Sequence, residues 1–124
     1  GQFTPIDEQW VLIPSDTATS LDGVLSSQFN TVKAGLKDFM PENANIIGQA
    51  RYTDGVADML KITVTVQAKG YTEIYSLAQL LSELSSNFSS TEMELTIEIK
   101  QLEQTCFLLH RESGTMQITM LDIV

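Results

Sequence analysis

Cysteine, histidine and basic side chains are all scarce in this chain, and each scarcity removes a class of function. Cys106 is the only cysteine in 124 residues, so no internal disulfide can form and cysteine usage does not fix a redox compartment. His110 is the only histidine, and no second His or Cys stands at metal-ligand spacing from it, which argues against a zinc centre. Seven Lys and Arg face 16 Asp and Glu, and the resulting net charge of -9 repels a phosphate backbone. Basic residues are nowhere interleaved with aromatics as in a strand-binding groove, so nucleic acid is not an expected partner. The seven glycines are scattered and build no phosphate-cradling loop. No run approaches the roughly 18 apolar residues of a bilayer span, and the opening residues from Gly1 do not read as a signal peptide. The chain opens on Gly rather than Met, so a longer natural N-terminus is expected.

A hydrophobic content of 43% with 19% charged residues is that of an ordinary globular protein. Its length suits one domain spanning 1–124, with 1–14 as a lead-in that carries Pro5, Pro14 and a short apolar strand from Trp10 to Ile13. Ser15, Asp16 and Thr17 are all good helix N-caps. Leu21, Val24, Leu25, Phe29, Val32, Leu36 and Phe39 then recur at gaps of three and four, one stripe of an amphipathic helix that Pro41 ends. Residues 45–53 read as a short strand and Asp54-Gly55 as a turn. Leu60, Ile62, Val64 and Val66 alternate with Lys61, Thr63, Thr65 and Gln67, the period of a half-buried strand.

Beyond Gly70, with Thr72 as a cap, Ile74, Leu77, Leu80, Leu81, Leu84 and Phe88 form a second helical stripe. Met93, Leu95, Ile97 and Ile99 alternate with Glu94, Thr96, Glu98 and Lys100 as a second clear strand. Cys106–Leu109 adds a strand or hairpin side. After the Ser113-Gly114 turn, Met116, Ile118 and Met120 close the chain as a last strand. The order helix–strand–strand, repeated, predicts an α+β fold of the ferredoxin-like kind: a two-layer sandwich with two helices on one face of an antiparallel sheet, and an additional hairpin arm within 101–112. Thr, Glu, Lys and Gln would occupy the other sheet face, towards solvent.

The residues offer no catalytic, cofactor-binding or metal-binding set, and the expected protein is not an enzyme. His110 reads as a surface residue at a turn edge. Cys106 has apolar neighbours, so it reads as a buried structural residue. Glu92, Glu94 and Glu98 read as a solvated strand face, and Asp16, Asp22, Asp54 and Asp58 lack calcium-loop spacing. Two features point to partner contacts. Tyr71 and Tyr75 lie four apart on the second helix, as an exposed patch or as rings that cover the core edge. Phe107, Leu108 and Leu109, with Cys106, cannot all face one side of a strand, so that strand is buried on both faces or meets another chain.

Leu12-Ile13-Pro14-Ser15 before a helix, the run from Ile62 to Lys69-Gly70-Tyr71, and the Leu77, Leu80, Leu81, Leu84 stripe together resemble the periplasmic domains of PilO-like and GspM-like proteins. The ending from Ser113 to Ile118 is similar to the closing strand of those domains. The resemblance implies a structural subunit of a type IV pilus biogenesis or type II secretion platform in a bacterial inner membrane. Its domain would lie in the periplasm and pair as a homodimer, or as a heterodimer with a similar ferredoxin-like domain, without cofactor. Only a transmembrane helix upstream would link it to the membrane. Two alternatives stay open beside it: a regulatory ferredoxin-like domain that binds a small molecule, and a cytoplasmic, acidic secretion chaperone or phage assembly protein.

Overall fold

The computed structural model describes residues 8–39, 44–67, 70–101 and 103–123. Six strands form one sheet: β1 (Glu8–Ile13), β2 (Ala44–Thr53), β3 (Val56–Val66), β4 (Glu94–Gln101), β5 (Gln104–Arg111) and β6 (Thr119–Asp122). Helices α1 (Asp16–Leu21), α2 (Gly23–Phe39) and α3 (Tyr71–Leu84), the last followed by a 3-10 turn at Ser85–Asn87, complete it.

The expected antiparallel, two-helix ferredoxin-like sandwich is corrected on two counts. Strand order across the sheet equals chain order, β1-β2-β3-β4-β5-β6, and β3 pairs with β4 in parallel while every other pair is antiparallel. The sheet is therefore mixed, and it has three helices. The reason lies in the connections. A parallel pair needs a crossover of a dozen or more residues, and α3 supplies it between neighbouring strands. Asp54 (φ 53°) and Gly55 (φ 83°) supply the two positive-φ positions that a tight hairpin needs, so β2 and β3 stay adjacent and no strand inserts between them.

The first helical stripe is also split. Ser15 caps α1 by accepting the Ala18 N–H at 3.0 Å, and the backbone at Asp22 is extended (φ −152°). The Asp22 carboxylate then caps α2 by accepting the Leu25 N–H at 3.0 Å. This break redirects the chain, which re-enters the sheet at β2, antiparallel to β1. Gly70, not Thr72, stands at the start of α3. Pro41, Pro5 and Lys69, read as features of the sequence, lie outside the described residues. The proposed hairpin arm at 101–112 is an integral part of the sheet, the β4–β5 pair.

The core lies between the helices and one face of the sheet. Ile62, Val64 and Val66 of β3, Leu95, Ile97 and Ile99 of β4 and Phe107 and Leu109 of β5 meet Phe29, Val32 and Leu36 of α2 and Ile74, Leu77 and Leu81 of α3 in one buried cluster. Two glycines let the layers approach. A Cβ on Gly35 would stand 2.8 Å from a Leu84 methyl, where α2 meets α3, and one on Gly48 would stand 3.0 Å from the Phe29 ring. Cys106 is buried because the β4–β5 register slips between Ile99 and Lys100, and the extra residue turns inward beside Phe107.

Candidate functional site

Among the described residues, the helices cover one face of the sheet and no helix covers the other. Strand registers lay out the bare face in rows. One row runs Ile47, Thr63, Glu98, Leu108 and Leu121 from β2 to β6. The next runs Leu12, Gln49, Lys61, Thr96, His110 and Thr119 from β1 to β6. The centre is polar, as the alternation of β3 and β4 predicts. The margins are not: Trp10, Leu12, Ile47 and Leu121 keep 48%, 51%, 44% and 57% of their surface in water.

Polar contacts hold this face in shape. Arg51 Nε and a terminal guanidinium nitrogen donate to the two Asp58 carboxylate oxygens at 2.8 and 3.2 Å, and Thr53 Oγ1 donates to Asp58 at 2.9 Å. The Arg51 hydrogen bond is the main cause that holds the Asp58 carboxyl below its usual range. The same guanidinium lies 5.9 Å from the centre of the Trp10 ring, a cation–π contact that fixes an exposed indole. His110 and Glu94 approach to 2.9 Å across β4 and β5, and Thr105 donates to Glu98 at 2.7 Å. His110 is thus a strand residue on the open face, not a turn-edge residue.

The sequence-derived contact residues are divided by the sheet. Phe107 and Leu109 point into the core, whereas Leu108, half-buried, faces the open side. Tyr71 and Tyr75 lie on the helix side, stacked with ring centres 6.1 Å apart, and each ring is 6.0 Å from Phe107. Both tyrosines therefore cover the buried Phe107 ring while keeping an outer edge in water. The Tyr71 hydroxyl donates to Asp122, which raises its pKa. Leu12, Ile47 and Leu121 had gone unnoticed as surface groups. The adjacent pair Ile46-Ile47 carried the signal, because two consecutive apolar residues in a half-buried strand cannot share a face.

Two buried polar groups lie on the covered side. Arg111 is 1% exposed; its guanidinium donates to the Phe88 and Ser90 carbonyls at 2.8 and 2.9 Å, and burial lowers its pKa. It ties the loop after α3 to β5. The Tyr52 hydroxyl is buried near the Asp22 carboxylate, and burial first, then that carboxylate, pushes its pKa up to about 12. Near the start of α2 is a shallow cleft of about 230 Å³ lined by Asp22, Gln28, Ser89 and Ser90 among others, with Gln28 bonded to Ser89 at 2.9 Å. Among the described residues no group of three or more His, Cys, Asp or Glu is placed to hold a metal ion, and no helix is long and apolar enough to cross a membrane.

With this geometry in hand, comparison with known proteins gives a family. The family model described as CamS sex pheromone cAM373 precursor matches residues 1–117. A search of curated proteins finds no match. Three solved structures share the fold. The crystal structure of a sex pheromone staph-cAM373 precursor superposes with a TM-score of 0.87 at 20% identity, over 99% of this chain and 44% of that one. The C-terminal domain of the Staphylococcus aureus precursor gives 0.83 at 19% identity, over 96% and 35%. A sex pheromone precursor from Lactobacillus salivarius gives 0.89 at 21% identity, over 100% and 37%. The chain thus spans less than half the length of these solved relatives.

These findings overturn the PilO-like and GspM-like resemblance, and with it the role in type IV pilus biogenesis or a type II secretion platform. The resemblance rested on element order and on the Gly70-Tyr71 and leucine-stripe pattern. Strand pairing distinguishes the folds, and those features do not encode it.

Proposed function

The chain belongs to the CamS sex pheromone cAM373 precursor family, and from that premise we propose that it is a non-catalytic contact module whose open sheet face receives another protein surface. The observation that carries this reading is the composition of that face. Solvent-facing sheets present polar residues, yet here Trp10, Leu12, Ile47 and Leu121 stand in water at the margins of one continuous surface. Between them lie short Thr side chains, the Arg51–Asp58 pair, and Gln49, Lys61 and Lys100, so a docking partner has to offer polar groups at the centre and apolar ones at the margins.

Membership in a family of pheromone precursors is consistent with association with a membrane. We extend this to a finer placement, with the domain displayed on the outer side of the bacterial membrane, where a contact module can meet its partner.

One labelling experiment addresses both parts. Thr63→Cys probes the centre of the open face and Asn30→Cys the exposed side of α2, while native Cys106 is buried and gives little background. A membrane-impermeant maleimide applied to intact cells should label Asn30→Cys quickly and Thr63→Cys slowly. Equal rates at the two positions would remove the contact reading. Labelling of neither until the cells are lysed would remove the outward display.

A further inference from the structure

We propose that the occupant of the open face is a second copy of this chain, stacked sheet on sheet about a twofold axis that runs parallel to the strands. This deepens, and rests on, the reading of that face as a contact surface.

Charge is the first argument. The chain carries a net charge of -9, so two copies repel wherever their acidic surfaces meet. The open face is the exception: Arg51, Lys61 and Lys100 are balanced there by Asp58, Glu94 and Glu98 among the described side chains. Copies can approach closely through this face without stacking like charges.

Register is the second argument. A twofold axis parallel to the strands, midway between the stacked sheets, exchanges β1 with β6, β2 with β5 and β3 with β4. Residues of one row then oppose each other across the interface. Ile47 of one copy falls on Leu108 of the other, because both lie in the row that joins Ile47, Thr63, Glu98 and Leu108. Leu12 falls on Thr119, one step from the exposed Leu121. Lys61 falls on Thr96, flanked by Glu94 and Glu98 on the same strand. The axis makes each contact occur twice: Ile47 meets Leu108, and Lys61 of β3 meets the acidic β4, so this part of the face is complementary to itself. The twist of each sheet crosses stacked strands at about 30°, so these oppositions hold closest to the axis and shift by about a strand spacing towards the edges.

Size is the third. Six strands at ~4.8 Å spacing and about six residues at ~3.3 Å give a face of roughly 24 by 20 Å. That footprint is roughly 480 Å² in plan, and side chains standing out from it raise the accessible area towards the roughly 800 Å² per partner of specific pairs.

The test is sedimentation of the purified chain over a concentration series. The expected result is a dimer whose dissociation constant rises roughly 30-fold or more in Leu108→Glu, with an unchanged circular dichroism spectrum. Ile47→Lys is the second variant should Leu108→Glu fold poorly. Lys61→Glu and Glu98→Lys should each weaken the pair about 10-fold, and an equimolar mixture of the two should restore it, because mixing returns an opposite charge to both contacts. A chain that stays monomeric at millimolar concentration, a Leu108→Glu dimer as tight as the wild type, or a mixture no tighter than its components overturns the proposal. Such a failure combined with slow labelling of Thr63→Cys in cells assigns the face to a different protein. Fast labelling there removes the contact reading itself.

Discussion

The two faces of the sheet are built from the same strands yet follow different rules. On the covered face, Ile62, Val64, Val66, Leu95, Ile97 and Ile99 are fully buried, and each strand of the centre contributes. On the open face the most exposed apolar side chains, Trp10, Leu12, Ile47 and Leu121, sit on the outer strands, with half-buried Met59 and Leu108 between them. Hydrophobicity at the centre of a sheet makes a core; at the margins of a bare face it frames a surface that another body can seat upon. The covered face should therefore be sensitive to single substitutions and the open face tolerant of them.

Val64→Asp tests that contrast most severely. An unpaired carboxylate in the middle of the covered face costs several kcal/mol, enough to abolish cooperative thermal melting. Retained cooperative melting would mean that the helices do not cover that face. Arg111→Ala comes next, since it leaves the Phe88 and Ser90 carbonyls without their donor and opens a void; about 2–4 kcal/mol should be lost in a denaturant titration.

Tyr52→Phe sharpens the comparison through pH. The folded-state pKa of Tyr52, about 12, lies above the ordinary 10.0, so the folded chain keeps a proton that the unfolded chain releases first. Its contribution to stability is complete below pH 10 and is lost as pH rises towards 12. Melting temperatures of the Phe variant should fall less steeply over that window, with little change at neutral pH; equal slopes would refute the assignment. Thr63→Gln on the open face should be the mildest. At concentrations that keep the chain monomeric its stability should stay within about 0.5 kcal/mol of the wild type. A larger loss would show that this face is covered within a single chain.

The sequence revealed faces better than neighbours. Alternation at Leu60–Val66 and Met93–Ile99 is a local property of side-chain direction, so the buried set of each strand could be read directly. Which strands pair depends on where the connections lead, and no residue of β3 announces that β4 will lie parallel beside it. The bulge that turns Cys106 inward is a property of two strands together and has no signature in one. Asp22, by contrast, is a strong N-cap type within a helical stripe, and its break was open to notice. Arg111 was legible too: counting by twos from Phe107 and Leu109 puts it on the covered face. Gly35 costs α2 some helix propensity, but its missing Cβ is what admits Leu84. On the open face, Leu108 was among the residues singled out from the sequence and Ile47 was not, although the two share a row.

Because each strand lies next to its predecessor, the sheet can be laid down in the order in which the polypeptide is synthesised. As the chain emerges end first from a ribosome or a translocation pore, every new strand finds its hydrogen-bonding edge already in place, and no earlier strand has to wait for a later one to be inserted beside it. For any chain that emerges in this way, sequential growth shortens the time for which a sticky edge is left exposed to misassembly.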